Sequence, residues 1–215
     1  MKKLFFLKLL LIVILAGIGF AFYPQLPDII PIHWNYLGQP DNYGPKLGTV
    51  LGVPSMMLFL TILFGALPKI DPKKEKYKLF EKTWEIFQFT LLGFFAYVYL
   101  VIIYVVLHPS APMNVFMSLG TGALFIVLGN YLGKIRQNYF VGIKTPWTLA
   151  NEDVWNKTHR IGGWAFIISG ILFIINSFIL EKYVWITFMF IITFCLFVPI
   201  IYSYVIFKKI TKKGE

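Results

Sequence analysis

Six stretches of about twenty apolar residues constrain this chain more than any other feature, near Leu4–Tyr23, Gly48–Leu67, Ile86–Leu107, Asn114–Leu132, Ile161–Leu180 and Tyr183–Phe207. A helix needs about twenty such residues to cross the hydrocarbon core, and in lipid only helices and closed barrels satisfy every backbone polar group. The runs predict an all-α polytopic membrane protein with six transmembrane helices. Charge agrees, since 14% of residues are charged where soluble domains hold about a quarter. The first run follows Met1-Lys2-Lys3, and its best small-x-small cleavage match, Gly19-Phe20-Ala21, is poor, so it reads as a retained helix. The single Cys195 falls in the last run, which excludes an intrachain disulfide and leaves the redox compartment open.

Orientation follows from the basic residues, because positively charged short loops stay in the cytoplasm. With alternate loops assigned to opposite sides, seventeen of the twenty Lys and Arg collect on one side. The other side holds only Lys46 and Lys182, while Lys8 lies near enough to the start of the first helix to snorkel outward. A multi-pass cell-membrane protein with both termini in the cytoplasm is therefore expected. The net charge of +10 is mostly a topology signal with some attraction to anionic headgroups, and calls for no direct nucleic-acid partner.

Two connections are long enough to hold a site, the outer loop 24–47 and the inner loop 133–160. Each follows the first helix of a three-helix half, 1–113 or 114–215. Trp34 and Trp147 closely follow Pro31 and Pro146, and Asp41-Asn42-Tyr43 parallels Asp153-Val154-Trp155. This raises the expectation of two inverted halves, as in many transporter folds. Ser118 and Gly122, and Gly129 and Gly133, form small-residue pairs four apart in the fourth span. Gly162, Gly163, Ala165, Ser169 and Gly170 enrich the fifth. Small residues mark packing faces in a membrane, so these two helices are expected to pack tightly. The charged stretch Asp71–Glu85 reads as a solvated helical extension, with Glu75 paired to Lys78.

The outer loop is rich in prolines that keep it out of helix, and His33, Trp34, Tyr36 and Tyr43 have apolar bodies with polar tips suited to the interface. Asn35, Asp41 and Asn42 can close Asx turns. An ordered interfacial cap is expected, able to present a binding surface to the outside. A metal site from His33, Asp41 and His108 is a sharper alternative, but no His-x-x-x-His or Cys pair supports it, and no metal or cofactor is expected. In the inner loop, Pro146 fixes a turn, Asn151 is positioned as an N-cap, and Glu152 and Asp153 occupy the first helical turn. Trp155 and His159 then share a face, which predicts a short amphipathic helix along the inner surface, with Trp155 available as an aromatic anchor for a cytoplasmic partner.

Both loops also resemble a known family. Leu26-Pro27-Asp28, Ile32-His33-Trp34-Asn35, Gly38, Pro40-Asp41, Tyr43-Gly44 and Lys46 resemble the amino-terminal domain of unknown function of SdpI-like proteins. Asn138, Gly142-Ile143-Lys144, Thr145-Pro146-Trp147-Thr148-Leu149, Val154-Trp155, Thr158-His159-Arg160 and Gly162-Gly163 resemble that family's second motif. The resemblance implies a bacterial membrane immunity protein whose outer side meets a secreted peptide toxin and whose inner side holds a cytoplasmic transcriptional repressor. On this reading the outer site comprises His33, Trp34, Asn35, Gly38, Pro40, Asp41, Tyr43 and Gly44. The inner site comprises Thr145, Pro146, Trp147, Thr148, Trp155, Thr158, His159 and Arg160.

The competing reading is a transporter of small molecules or peptides. Coupled transport and catalysis both call for ionisable groups at membrane depth. Apart from Lys8, the six runs contain no Asp, Glu, Lys, Arg or His, and Gln88, Asn130 and Asn176 are their main polar groups. Binding and signalling are therefore favoured over transport, and no enzyme is expected.

Overall fold

A computed structural model describes residues 2–179 and 181–212. The chain runs as helix α1 (Lys2–Phe22), a 3-10 turn, strands β1 (Ile29–Trp34) and β2 (Pro40–Pro45), then α2 (Lys46–Ile70). A second 3-10 segment, Lys74–Phe80, leads to α3 (Glu81–Leu107) and α4 (Met113–Leu132), followed by the short α5 (Pro146–Ala150), α6 (Glu152–Asn176) and α7 (Glu181–Thr211). Among the described residues, α1, α2, α3, α4, α6 and α7 are long and apolar enough to cross a membrane. The protein is thus an all-α polytopic membrane protein whose strands form one small hairpin. Leu180, the expected end of the fifth span, and Lys213, part of the basic tail, lie outside the described residues.

Helices α1, α2 and α3 pack on one another, α6 packs against both α4 and α7, and α3 against α4 joins the two groups. Leu15, Met57, Leu92 and Tyr99 fill the first group, where the buried Tyr99 hydroxyl donates to the Val50 carbonyl at 3.2 Å. Lys8 does not snorkel. It is buried, its ammonium donates to Gln88 Oε1 on α3 at 2.6 Å and lies 5.1 Å from the centre of the Phe89 ring. A partner amide within reach is cheaper than stretching to the headgroups, so α1 docks onto α3 through Lys8.

The α4–α6 seam is as close as the small residues predict. A Cβ placed on Gly129 would lie 2.6 Å from the Gly163 carbonyl oxygen, and one on Gly122 would lie 2.7 Å from that of Gly170. Backbones thus touch at two levels, each level open only to glycine.

The stretch after α2 is not the solvated extension expected. Asp71, Tyr77 and Phe80 are buried, and the segment folds against the inner loop. Asp71 Oδ2 accepts from the Tyr139 amide at 3.0 Å and from the Tyr77 hydroxyl at 3.2 Å, Lys73 donates to Gln137, and Lys76 pairs with Glu152 at 2.5 Å. The Glu75–Lys78 pair, at 2.6 Å, remains on the solvated side as anticipated, with Lys74, Glu81 and Lys82 exposed beside it.

Candidate functional site

At the hairpin end, β1 and β2 pair antiparallel from Ile29 opposite Pro45 to Trp34 opposite Pro40, with the register broken on both sides of His33. Prolines and this bulge blunt both edges of a strand pair too small to stand alone. Asn35 closes the connection: its Oδ1 accepts from the amides of Leu37 and Gln39 at 3.0 Å each. Gly38 then turns with φ +80°, so close to α4 that an added Cβ would sit 2.9 Å from the Asn114 amide nitrogen. The hairpin tip is thereby seated on the start of α4. Its other contact is Tyr36 against Trp185 of α7, ring centres 5.5 Å apart.

Under this tip lies a cavity of about 710 Å³. Its roof is His33, Trp34, Asn35, Tyr36 and Gly38. One wall is the first two turns of α4, from Met113 to Thr121, and the opposite wall pairs the end of α6 at Phe173 and Asn176 with the start of α7 at Trp185 and Phe188. Ser118 and Thr121 precede Gly122 on α4, and Phe173 follows Gly170 on α6, so the cavity adjoins the glycine seam. Ser118, expected in the seam, faces the cavity instead. Among the described residues, no Asp, Glu, Lys or Arg lines it.

The remaining outer-loop residues support the cap from outside the cavity. Asp41 accepts from His33 Nδ1 at 2.5 Å, an exposed contact that orients the imidazole and adds little stability. Gly44 packs beneath Ile32, and Tyr43 is exposed. His108 stacks on Tyr104, ring centres 4.4 Å apart, rather than joining His33 and Asp41.

At the other end the inner loop is a buried polar lattice. Asn138 is wholly buried, its Oδ1 accepting from the Phe140 and Val141 amides and its Nδ2 donating to the Arg136 and Val141 carbonyls. Thr145 and Thr148 form a capping box on α5, and the Thr145 hydroxyl meets that of Ser203 on α7 at 3.1 Å. Trp147 rests on Tyr204, ring centres 5.0 Å apart. Asn151 caps α6 as expected, its side chain accepting from the Val154 amide.

Two expectations fail here. No separate amphipathic helix lies on the surface, because the segment from Glu152 is the first part of α6 and continues into the span. Trp155 is not an exposed anchor either. It is fully buried, donates from Nε1 to the Ile135 carbonyl at 2.9 Å and stacks on His159, whose ring centre is 4.0 Å away. Thr148, Thr158 and His159 are equally buried, which leaves Pro146 and Arg160 as the exposed members of the inner set.

Sequence reasoning misses the cavity walls at Asn114, Phe173, Asn176 and Trp185, and it misses Asp71 and Tyr77 in the inner lattice. These groups converge from segments far apart in the chain. Only the terminal placement of Trp185 in its span hints at an interfacial role.

Residues 134–203 match the SdpI/YfhL protein family, and residues 10–58 match a domain of unknown function, DUF1648. The immunity protein SdpI of Bacillus subtilis (strain 168) is 26% identical over 188 residues, which cover 87% of this chain and 88% of that protein. The chain is similar to SdpI-family proteins. The two matched segments meet at the cavity, one bringing the hairpin and the other the end of α6 and the start of α7, while the α4 wall falls in neither. No solved structure matches the chain.

Proposed function

We propose that this chain is a membrane immunity protein that protects its host cell from a secreted peptide toxin, intercepting the toxin at the hairpin face. The cavity under the hairpin carries the reading. His33, Trp34, Asn35 and Gly38 line it, and the glycine seam where the α4 and α6 backbones touch adjoins it. A transporter needs a continuous path past its binding site, and the tight α4–α6 contact offers none along that seam. Likeness to an immunity protein over most of both chains supports the same function. The hairpin face is assigned to the exterior because the opposite face carries most of the basic residues.

On the cytoplasmic face, a repressor would meet exposed basic side chains such as Arg136, Lys157 and Arg160 beside the exposed Tyr139 and Phe140, since Trp155 is buried. That signalling role is part of the proposal and rests on the family likeness alone.

The test is survival. Toxin-sensitive cells expressing this chain, challenged with secreted peptide toxins, should gain resistance to at least one. Trp34→Ala should cut the protective dose range at least tenfold at unchanged membrane abundance. Resistance that persists undiminished in Trp34→Ala would move recognition away from the hairpin.

A further inference from the structure

The chemistry of the cavity wall defines what it can hold. Among the described residues no Asp, Glu, Lys or Arg lines the cavity, and the one imidazole, that of His33, has its Nδ1 committed to Asp41. An ion entering this space would lose water and find no counter-charge, so a charged occupant is disfavoured. Trp34, Phe173, Trp185 and Phe188 offer broad apolar surface. Asn176 adds a directed polar group: it is 4% exposed, its Oδ1 accepts from the Thr187 hydroxyl, and its Nδ2 donates to no described protein group. Asn114, at the start of α4 and beside Gly38, likewise has a side-chain amide without a described partner.

We propose that the cavity binds a short, uncharged, apolar peptide segment, its side chains lying among Trp34, Phe173 and Trp185 and its backbone carbonyls accepting from Asn176 and Asn114. This rests on the reading of the hairpin face as a recognition surface and names the part of the ligand that is recognised. A lipid acyl chain would satisfy the aromatic walls but not the amides, leaving a buried donor unpaired at a real energetic cost. A peptide satisfies both. The volume lies within the range of about 300–1,000 Å³ typical of small-ligand sites, which admits a few residues and leaves the rest of the ligand outside.

The experiment uses the full chain in nanodiscs of zwitterionic lipid and an end-capped Leu/Phe pentapeptide carrying one photoreactive benzoyl-phenylalanine. Crosslinks should map to 33–38, 113–121 or 173–188. Thr121→Phe, which fills the cavity, should abolish them while leaving thermal stability intact. Asn176→Leu should weaken binding roughly three- to tenfold, the scale of one lost hydrogen bond. Thr187→Val, which removes only the bond to the Asn176 oxygen, should weaken it less. A pentapeptide with a central Lys should bind at least tenfold more weakly. Equal binding of the Lys probe, or crosslinks unaffected by Thr121→Phe, would overturn the proposal. Crosslinking of an acyl-chain diazirine lipid to 173–188 that Thr121→Phe removes would overturn it in favour of lipid. Survival assays separate the two claims: resistance retained by Thr121→Phe sinks the cavity proposal alone, whereas probe binding without resistance to any toxin sinks the immunity reading alone.

Discussion

His159 is held at both ring nitrogens. Nε2 accepts from the Ile143 amide at 2.9 Å, which places the ring proton on Nδ1, where it donates to the Trp155 carbonyl at 2.8 Å. The imidazole thus links the inner loop to α6 as a neutral structural group. Gly142 makes this possible: its φ of +117° turns the chain beside the ring, and an added Cβ would fall 2.3 Å from Nε2. A left-handed non-glycine residue costs about 1–3 kcal/mol before any clash is counted. Gly142→Ala should therefore lower the melting temperature and membrane abundance of the purified chain, and an unchanged melting curve would show the loop to be looser than the structure has it. Trp155 belongs to the same lattice, so its loss would act on folding before it acted on any partner. The sequence pattern places Trp155 and His159 correctly on one face; it leaves open that this face turns inward, because the Ile135 carbonyl that receives the indole proton lies twenty residues earlier.

Among elements, the α4–α6 seam is the firmest contact legible in the sequence, since glycines at helical spacing let two backbones meet where any larger side chain would hold them apart. Gly129→Leu should push the helices apart and sharply reduce abundance, whereas Gly93→Ala, where an added Cβ meets nothing within 4 Å, should leave it unchanged. Quantitative blots of membrane fractions decide the comparison, and equal abundance of the two variants would show that the seam does not hold these helices together. The hairpin is harder to read, as its prolines break the alternation that marks a strand and its register shifts at His33. The Lys8 contact escapes the sequence for a related reason. Proximity to a helix end favours snorkelling in general, and nothing local announces Gln88, eighty residues on. The cavity is invisible there because hairpin, α4, α6 and α7 each supply one wall.

For the molecule as a whole, the two ends differ in kind. The hairpin end is aromatic and holds the cavity, and the opposite end is a cross-braced polar lattice with a basic exterior. With Cys195 replaced by Ala, a single cysteine at Asn42 should react with an impermeant thiol reagent in intact cells and one at Lys157 should react only after lysis; the reverse pattern would invert the protein in the membrane. The contact between Lys8 and Gln88 also sets an order in time. Helix α1 leaves the ribosome first, carrying a cation about 9 Å along its length at 1.5 Å per residue, while its amide acceptor is still eighty residues from being made. At about 5–20 residues per second that interval is roughly 4–16 s. Throughout it the Lys8 ammonium has no Gln88 amide to donate to, so the buried contact between α1 and α3 can form only once α3 has been made. The closing of that contact is timed by the third helix, not the first.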